Sequence, residues 1–202
     1  CASFSMLSLY VLADALSWRA RRRTFSTMAG YPQNLVHPHH LFDGTEVVVR
    51  PIRPEDAAIE QDFVRGLSDD SRYNRFMGQL RELSPRKLQY MTTIDYDLHM
   101  ALIATVMCDG HEVEIGVARY IVTPGSDSGE FAIVVDDAWQ GTGVAGILML
   151  DLIEAARNKG LKAMVGFVLA SNHKMLKFCR QLGFEFHRDQ GEGDTINVVK
   201  AL

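Results

Sequence analysis

The sequence predicts an α/β fold in which one mixed central β-sheet is flanked by helices. Two features of the hydrophobic pattern indicate it. Three apolar segments between residues 100 and 135 follow one another with only turns between them, which predicts an antiparallel meander. After residue 140, segments whose apolar residues recur with the period of a helix alternate with segments that have the pattern of a strand. This alternation predicts helices packed on the same sheet. The predicted order of elements is β-α-α-α-β-β-β-α-β-α-β-β.

The first predicted strand, Thr45–Ile52, is rich in valine and is closed by Pro51 and Pro54. Proline begins the helix that follows, and acidic residues occupy its first turn, which is typical of a helix N-terminus. A serine followed by a proline begins the last helix of this group in the same way. The three helices are predicted over residues 54–68, 69–78 and 84–95.

The meander consists of strands 100–108, 112–122 and Glu130–Val135. The dipeptide Asp109-Gly110 between the first two is favoured at hairpin turns.

A long helix follows residue 140, with Lys159 in its last turn and Gly160 just beyond its C-terminus. Ser171 or Asn172 is expected to cap the next helix. The last four elements are strand 161–170, helix 171–183 ending at Gly183, and strands 184–188 and 195–202.

The composition fits one globular domain and excludes several functional classes. The chain has 202 residues, 47% of them hydrophobic, which is enough for one core with an appendage. A formal charge of -4 and a pI near 6.0 give no basic surface for nucleic acid. The cysteines are few and far apart, so neither a disulfide framework nor a zinc site is predicted, and a reducing, cytoplasmic setting is expected.

Residues 1–30 are predicted to be an N-terminal extension of unknown role. Their longest apolar run, Met6–Trp18, contains polar residues and is shorter than the roughly 20 residues of a membrane span. A basic cluster follows this run, the reverse of a secretory signal. A role at a membrane surface is a minor alternative. Because the chain opens on Cys1, a fragment, a cleaved product or a misassigned start is expected, with Met28 as a candidate initiator.

Three histidines, His37, His39 and His40, lie close together in a stretch rich in proline and glycine. Their closeness suggests a set of metal ligands, but Asp43 is the only carboxylate beside them in the sequence. We therefore interpret residues 29–44 as a polar segment that leads into the domain, and we predict no metal site.

Residues 140–146, QGTGVAG, match two fingerprints of pyrophosphate-binding loops. From Gly141 to Gly146 they fit G-x-G-x-x-G, the dinucleotide-binding turn. From Gln140 to Ala145 they fit the Q/R-x-x-G-x-G/A loop that holds coenzyme A in acetyltransferases. Both loops let the backbone approach the anion and present the N-terminus of a helix to it.

The residues around the loop disfavour the dinucleotide interpretation on three counts. Five residues separate the end of the preceding strand from Gly141, the following strand ends without an acidic residue to bind a ribose, and an antiparallel meander precedes the loop. The coenzyme A interpretation is therefore preferred.

The segment from Gly129 to Phe184, with GEFAIVVDDAWQGTGVAG at its start and NHKMLKFCRQLGF at its end, resembles the core of the GNAT acetyltransferase superfamily. The motifs RPIRPEDA, LSDDSRYNRF and EFAIVVDDAWQG are similar to those in the acetyltransferase domain of bacterial protein lysine acetyltransferases of the Pat type. The resemblance implies a GNAT fold with splayed strands over residues 31–202. Larger family members also carry an acyl-CoA ligase-like domain, for which this chain is too short.

The resemblance also implies acetyl-CoA as the acetyl donor and assigns residues to it. Backbone N–H groups of the loop would take the pyrophosphate, and the pantetheine arm would lie along the preceding strand as an added strand. Asn172 matches an asparagine that contacts this arm, although a simple helix cap is the alternative. The residues so assigned are Ile133, Val134, Val135, Gln140, Gly141, Thr142, Gly143, Val144, Ala145, Gly146 and Asn172.

Glu130 matches the glutamate proposed as the general base in Pat-type enzymes, with a solvated strand-end acid as the alternative. A lysine amine has a pKa of about 10.4 and is therefore protonated at neutral pH. A carboxylate can remove that proton, directly or through water, as the amine attacks the thioester. The weaker candidates are Glu112, Glu114, Asp136 and Asp137, of which the last two are expected to serve the turn before the loop.

Cys179 stands where many superfamily members have a tyrosine that protonates the leaving thiolate. We interpret it as a small buried core residue and assign no general acid. Tyr96 and Tyr120 are further candidates for that role.

We therefore predict an acetyl-CoA-dependent N-acetyltransferase that acylates lysine side chains of proteins, such as acyl-CoA synthetases, by direct transfer. The alternatives are acetylation of a small amine and a non-catalytic acetyl-CoA sensor. The resemblance places the helices after the first strand on the acceptor side, where Asp69, Asp70 and Arg72 are surface residues by default. The sequence does not indicate an oligomeric state.

Overall fold

A mixed sheet of eight strands forms the centre of the computed structural model, which describes residues 30–187 and 194–202. The strands are β1 (His37–His40), β2 (Glu46–Pro51), β3 (His99–Cys108), β4 (His111–Val122), β5 (Ser128–Val135), β6 (Ala163–Leu169), β7 (Glu185–His187) and β8 (Thr195–Ala201). The α-helices of the described residues are α1 (Ala57–Gly66), α2 (Asp69–Phe76), α3 (Pro85–Thr92), α4 (Val144–Asn158) and α5 (His173–Gln181). Both sets confirm the predicted α/β class.

The strands lie in the order β1-β2-β3-β4-β5-β6-β8-β7. Every neighbouring pair is antiparallel except β5 and β6, which are parallel and connected by α4. The meander of β3, β4 and β5 and the position of α4 between β5 and β6 agree with the predicted order of elements.

Two apolar clusters cover the two faces of the sheet. On one face, α4 and α5 pack against the sheet through residues such as Leu148, Leu152 and Cys179. On the other face, α1 and α3 contribute Phe63 and Met91 to a second cluster that includes Ile103 and Val117 of the sheet. Each of these helices therefore buries one apolar stripe against the sheet, and β4 supplies side chains to both clusters.

Side-chain caps fix where two of the helices begin. Ser84 accepts a hydrogen bond from the backbone N–H of Lys87 at 3.3 Å, and Asn172 accepts one from the N–H of Met175 at 3.0 Å. Each cap satisfies a donor that the first turn of a helix leaves without an intrahelical partner. Of the two predicted candidates for the cap of α5, Ser171 and Asn172, the structure shows Asn172.

The interpretation of residues 29–44 as a polar leading segment is wrong for part of its length. His37–His40 form the edge strand β1, in which His37 pairs with Val49 and His39 with Val47 of β2. Its sequence, HPHH, has no apolar residue at alternate positions except proline, and an edge strand can be polar because one of its sides meets solvent. The alternation of apolar and polar residues, by which a strand is predicted from sequence, is therefore missing from β1.

Two networks of buried charges lie on the α1 side of the sheet. Arg50 donates to both carboxylate oxygens of Asp56, at 2.7 and 2.8 Å, and to Glu112 at 2.8 and 3.0 Å. In the second network, Arg119 donates to Glu60 at 3.2 Å, and both side chains are buried. Bidentate and charge-assisted bonds of this kind fix the position of α1 on the sheet.

Glu114 is buried close to the Glu60–Arg119 pair. Burial raises the pKa of Glu114 well above its ordinary value, and the neighbouring Glu60 carboxylate raises it further, whereas Arg119 lowers it. Glu114 therefore binds its proton more tightly in the folded state than in the unfolded state.

We expect Glu114→Gln to flatten the pH dependence of stability. A group with a raised folded-state pKa stabilises the fold fully below its unfolded pKa, near 4.5, and this contribution is lost as pH rises towards the folded pKa. The free energy of unfolding of the wild type should fall from pH 5 to pH 8, and the fall should be smaller in the variant. Urea denaturation at several pH values measures it, with the exposed Glu46→Gln as the control. Equal slopes in the wild type and the Glu114→Gln variant would contradict the assignment.

The predicted extension over residues 1–30 lies outside the described residues, apart from Gly30. None of the described helices combines the length and the hydropathy that crossing a membrane requires.

Candidate active site

A gap opens inside the sheet between β5 and β6. The two strands pair for only three residues, the last pair being Glu130 with Val165. Beyond this pair, β5 continues to Val135 alongside β4, while β6 continues to Leu169 alongside β8. In the described part of the chain, the inner edges of the two strands are thus unpaired beyond Glu130. An unpaired strand edge offers backbone N–H and C=O groups to an extended ligand.

The aromatic ring of Phe131 lies where the strands diverge. A Cβ atom added to Gly166 of β6 would come within 2.5 Å of this ring, so Phe131 occupies the space of the missing side chain. On its other side the ring contacts that of Phe184, with 5.1 Å between the ring centroids. Close packing of Phe131 against a glycine backbone therefore helps to hold β5 and β6 in their diverging arrangement.

Gly166→Ala is expected to destabilise the fold by about 1–3 kcal/mol, because the added methyl group must displace the buried Phe131 ring. Urea denaturation would measure the loss. Gly146→Ala is the matched control, since a Cβ at Gly146 meets nothing within 4 Å and lies in helix α4. The control should be neutral or slightly stabilising. Equal stability of the two variants would show that Phe131 adjusts without cost.

The loop from β5 to α4 has the backbone geometry of an anion site. Gly141 and Gly143 have φ values of 82° and 106°, in the region that favours glycine. Helix α4 begins directly after Gly143, and its first hydrogen bond runs from the N–H of Ile147 to the carbonyl of Gly143 at 3.1 Å. The N–H groups of Val144, Ala145 and Gly146 thus have no acceptor within the helix. The first turn of α4 also contains no acidic residue, so nothing there offsets its positive end.

Two residues of the loop have side chains turned inward. Thr142 donates its hydroxyl to the carbonyl of Trp139 at 2.7 Å, and its backbone N–H points at the same oxygen at 3.4 Å. The carboxamide of Gln140 donates to Asp137 at 3.3 Å and to the carbonyl of Val135 at 3.4 Å. These bonds close the loop and leave the N–H groups at the N-terminus of α4 as the donors that have no partner within the helix.

Asp137 joins this loop to α2. Its carboxylate accepts hydrogen bonds of 2.8 Å from the backbone N–H of Ser68, from the Ser68 hydroxyl and from the Ser71 hydroxyl. Burial alone would raise the pKa of Asp137, but these bonds hold it below its ordinary value. Asp136 serves the turn, as predicted, by accepting a bond from the N–H of Ala138 at 2.9 Å.

Ser68 and Ser71 are residues that the sequence analysis did not assign to the site. A serine before a helix signals a cap, and Ser68 does cap α2 by accepting a bond from the N–H of Ser71. Its second partner, Asp137, lies 69 residues away, and local sequence carries no signal for such a contact.

Glu130 lies at the last pair of residues before the gap. It is half-buried, and it pairs with Ile121 of β4 on one side and with Val165 of β6 on the other. Alternation along β5 places it on the same face as Val134, which packs against the cluster formed with α1 and α3. A carboxylate at this position lies beside the unpaired strand edge and on the face that the three helices cover.

The weaker candidates for a proton acceptor are less suited to the role. Glu112 is bound by Arg50, and these hydrogen bonds hold the pKa of the Glu112 carboxyl below its ordinary value. Glu114 is buried in the core between the sheet and α1. Among the carboxylates named as candidates, Glu130 therefore combines partial exposure with a position at the gap.

The three candidates for a proton donor have high pKa values. Burial raises the pKa of the Cys179 thiol and of the Tyr96 and Tyr120 hydroxyls, each to about 12. Cys179 and Tyr120 belong to the apolar core, and the Tyr96 hydroxyl donates to the carbonyl of Ile52 at 2.8 Å. Cys179 is therefore a core residue, as predicted, and neither tyrosine occupies the gap between β5 and β6.

Comparison with known proteins decides the family. The model of the acetyltransferase (GNAT) family matches residues 70–184, more than half of the chain. Acetyltransferase PA5475 of Pseudomonas aeruginosa is 37% identical over 162 residues, which cover 80% of this chain and 86% of that protein. The chain belongs to the GNAT acetyltransferase family.

Two further similarities concern the Pat type of GNAT acetyltransferase. The GNAT domain of S. lividans PAT has a crystal structure that superposes with a TM-score of 0.78 and 30% identity, covering 85% of this chain and 99% of that domain. Acetyltransferase Pat of Mycolicibacterium smegmatis is 29% identical over 154 residues, which are 75% of this chain and 45% of that protein. The predicted resemblance to Pat-type acetyltransferase domains is confirmed.

As a GNAT acetyltransferase, the protein is an enzyme that uses acetyl-CoA as its acetyl donor. The GNAT fold predicted from the sequence is likewise confirmed, with eight strands in one mixed sheet.

Proposed function

We propose that this GNAT acetyltransferase transfers the acetyl group of acetyl-CoA to lysine side chains of proteins. The observation that carries the proposal is the position of Glu130 at the start of the gap between β5 and β6, on the face covered by α1, α2 and α3. An acceptor amine that approaches from the helix-covered face would meet the Glu130 carboxylate. This carboxylate lies beside the unpaired edge of β5, along which the extended acetyl-CoA thioester would lie. The similarity to the GNAT domain of a PAT protein supports a protein acceptor.

The proposed reaction begins with a protonated lysine amine, because its pKa of about 10.4 lies above neutral pH. The Glu130 carboxylate takes this proton, directly or through a water molecule, as the amine nitrogen attacks the thioester carbonyl. A backbone N–H on the open edge of β5 stabilises the oxyanion. The carbon–sulfur bond then breaks, and the second proton of the attacking nitrogen passes to the leaving thiolate or to water. No side chain is assigned as the acid, consistent with the positions of Cys179, Tyr96 and Tyr120.

We assign the donor to the gap and the loop. The pyrophosphate would lie at the N-terminus of α4, on the N–H groups of Val144, Ala145 and Gly146, with Gln140, Gly141, Thr142 and Gly143 forming the turn that presents them. The pantetheine arm would run along β5 at Ile133, Val134 and Val135, where alternate residues direct their backbone groups towards the gap. The oxygen of Asn172 is used by the helix cap, so its NH2 group is the end that would contact the arm.

We further propose that residues 31–202 form the catalytic domain and that residues 1–30 lie outside it. The pairing of β1 with β2 supports a domain start before His37. A cytoplasmic setting is part of the proposal and is supported by two free cysteines, Cys108 and Cys179.

The test is release of free coenzyme A from acetyl-CoA by the purified chain with three classes of acceptor. These are lysine peptides, a folded acyl-CoA synthetase and small polyamines. Release that depends on a peptide or protein lysine, with acetyl-lysine found by mass spectrometry, would support the proposal. Release with polyamines alone would replace it with small-amine acetylation. Binding of acetyl-CoA in calorimetry, without release by any acceptor, would favour a sensor.

A further inference from the structure

Two histidines and an aspartate from distant parts of the sequence meet at the edge of the sheet. Nδ1 of His37 lies 3.4 Å from Oδ2 of Asp151, and Nε2 of His39 lies 3.0 Å from the same oxygen. The three ligand atoms all lie within 4.8 Å of one another. The Asp151 side chain is only 14% exposed, so this carboxylate is largely removed from water.

The fold explains how these residues come together. His37 and His39 are two positions apart in β1, so both side chains lie on the same face of the sheet. Asp151 belongs to α4, which packs on that face. The sequence analysis found no carboxylate for these histidines except Asp43, because Asp151 is 112 residues beyond His39.

We propose that His37, His39 and Asp151 bind a divalent first-row transition-metal ion. Two imidazoles and one carboxylate are a ligand set that such ions favour, and the set leaves coordination positions open for water. Ligand atoms about 2.1 Å from a zinc ion lie about 3.0–3.4 Å from one another, which agrees with both measured nitrogen–oxygen distances.

The second nitrogen of His37 provides independent support. Nε2 of His37 lies 3.1 Å from the backbone carbonyl of Asn34. A carbonyl oxygen only accepts hydrogen bonds, so a neutral ring that donates to it has its hydrogen on Nε2 and the lone pair that a metal ligand needs on Nδ1, which faces Asp151. Metal-binding histidines commonly have their second nitrogen held by such a carbonyl.

The site is separate from the one assigned to acetyl transfer. The histidines lie on the edge strand β1, whereas Glu130 lies on β5, four strands away in the sheet. A bound ion would join β1 to α4, the helix whose N-terminus faces the pyrophosphate loop. We therefore assign it a structural role, and the inference does not depend on the identity of the acceptor.

Calorimetric titration of the full chain with Zn²⁺ tests the site, using protein that carries no histidine tag and has been treated with a chelator. One tight equivalent is expected in the wild type. Asp151→Asn and His39→Gln should each weaken the binding about 100-fold, since even the loss of a residue that only supports a ligand costs 10–100-fold. Co²⁺ in place of Zn²⁺ should give visible absorption bands in the wild type that both variants lose.

His40→Gln is the matched control, because His40 lies in the same strand with an exposed side chain. It should bind Zn²⁺ as tightly as the wild type. Thermal unfolding in chelator checks that each variant folds. If Asp151→Asn fails to fold, the Zn²⁺ affinity of His39→Gln tests the site in its place. The proposal is overturned if the wild type binds no stoichiometric Zn²⁺, if both variants bind it unchanged, or if His40→Gln weakens it equally.

Discussion

Glu130→Gln is expected to lower kcat for a lysine acceptor by about 10²–10⁴-fold, the range that a positioned general base contributes. Glutamine keeps the size of the side chain but cannot take the proton of the ammonium group. The fold should be unchanged, because Glu130 is half-buried at a strand pair and not in either apolar core. Steady-state release of coenzyme A measures kcat, and calorimetry with acetyl-CoA should give an affinity close to that of the wild type.

The pH profile distinguishes a lost base from a general defect. The fraction of free amine rises as the pH approaches the lysine pKa of about 10.4, so the deficit of the variant should shrink with rising pH. Glu154→Gln, which changes an exposed glutamate on α4, is the control and should keep full activity. If Glu130→Gln turned over normally at pH 7, the base would have to be another residue.

Gly143→Glu is expected to weaken acetyl-CoA binding by at least about 100-fold, because it places a carboxylate at the proposed pyrophosphate site. The new side chain would stand at the N-cap of α4, where it can itself accept from the open N–H groups. The φ value of 106° adds strain, since a residue with a Cβ pays roughly 1–2 kcal/mol in the left-handed region. Calorimetric titration with acetyl-CoA measures the loss.

Gly143→Ala separates the two causes. Alanine carries the same backbone strain without the charge, and a Cβ at this position meets nothing within 4 Å. It should lose stability, while its affinity for acetyl-CoA should fall much less than that of the glutamate variant. Equal affinities for the wild type and Gly143→Glu would show that the pyrophosphate does not bind at the start of α4.

Local sequence signals predicted most of the fold. The Asp109-Gly110 hairpin, the caps at Ser84 and Asn172 and the glycines after α4 and α5 are all found where the residue types placed them. Each depends on the conformational preference of one or two residues, which tertiary context seldom overrides. The resemblance then supplied the connection of the strands, since it identified the loop and the helix that follow β5.

The parts that the sequence could not predict all depend on contacts between distant residues. Strand β1 has no hydrophobic alternation because it is a polar edge strand, so only its pairing with β2 reveals it. The bonds of Asp137 to Ser68 and Ser71, and the approach of Asp151 to His39, each span more than 60 residues. The gap after Glu130 is likewise visible only in the register of β5 and β6.

The arrangement of helices along the chain has a consequence for evolution. The three helices that cover the Glu130 face, α1 to α3, come from one uninterrupted stretch between β2 and β3. The loop and strands assigned to the donor come from a different stretch, from β5 to α5. Mutations in residues 57–92, apart from Ser68 and Ser71, which bind the donor loop through Asp137, can therefore alter the proposed acceptor surface without touching the residues assigned to the donor. If the proposed acceptor side is right, new acceptors can be acquired, or engineered, by varying that segment while Ser68 and Ser71 are kept.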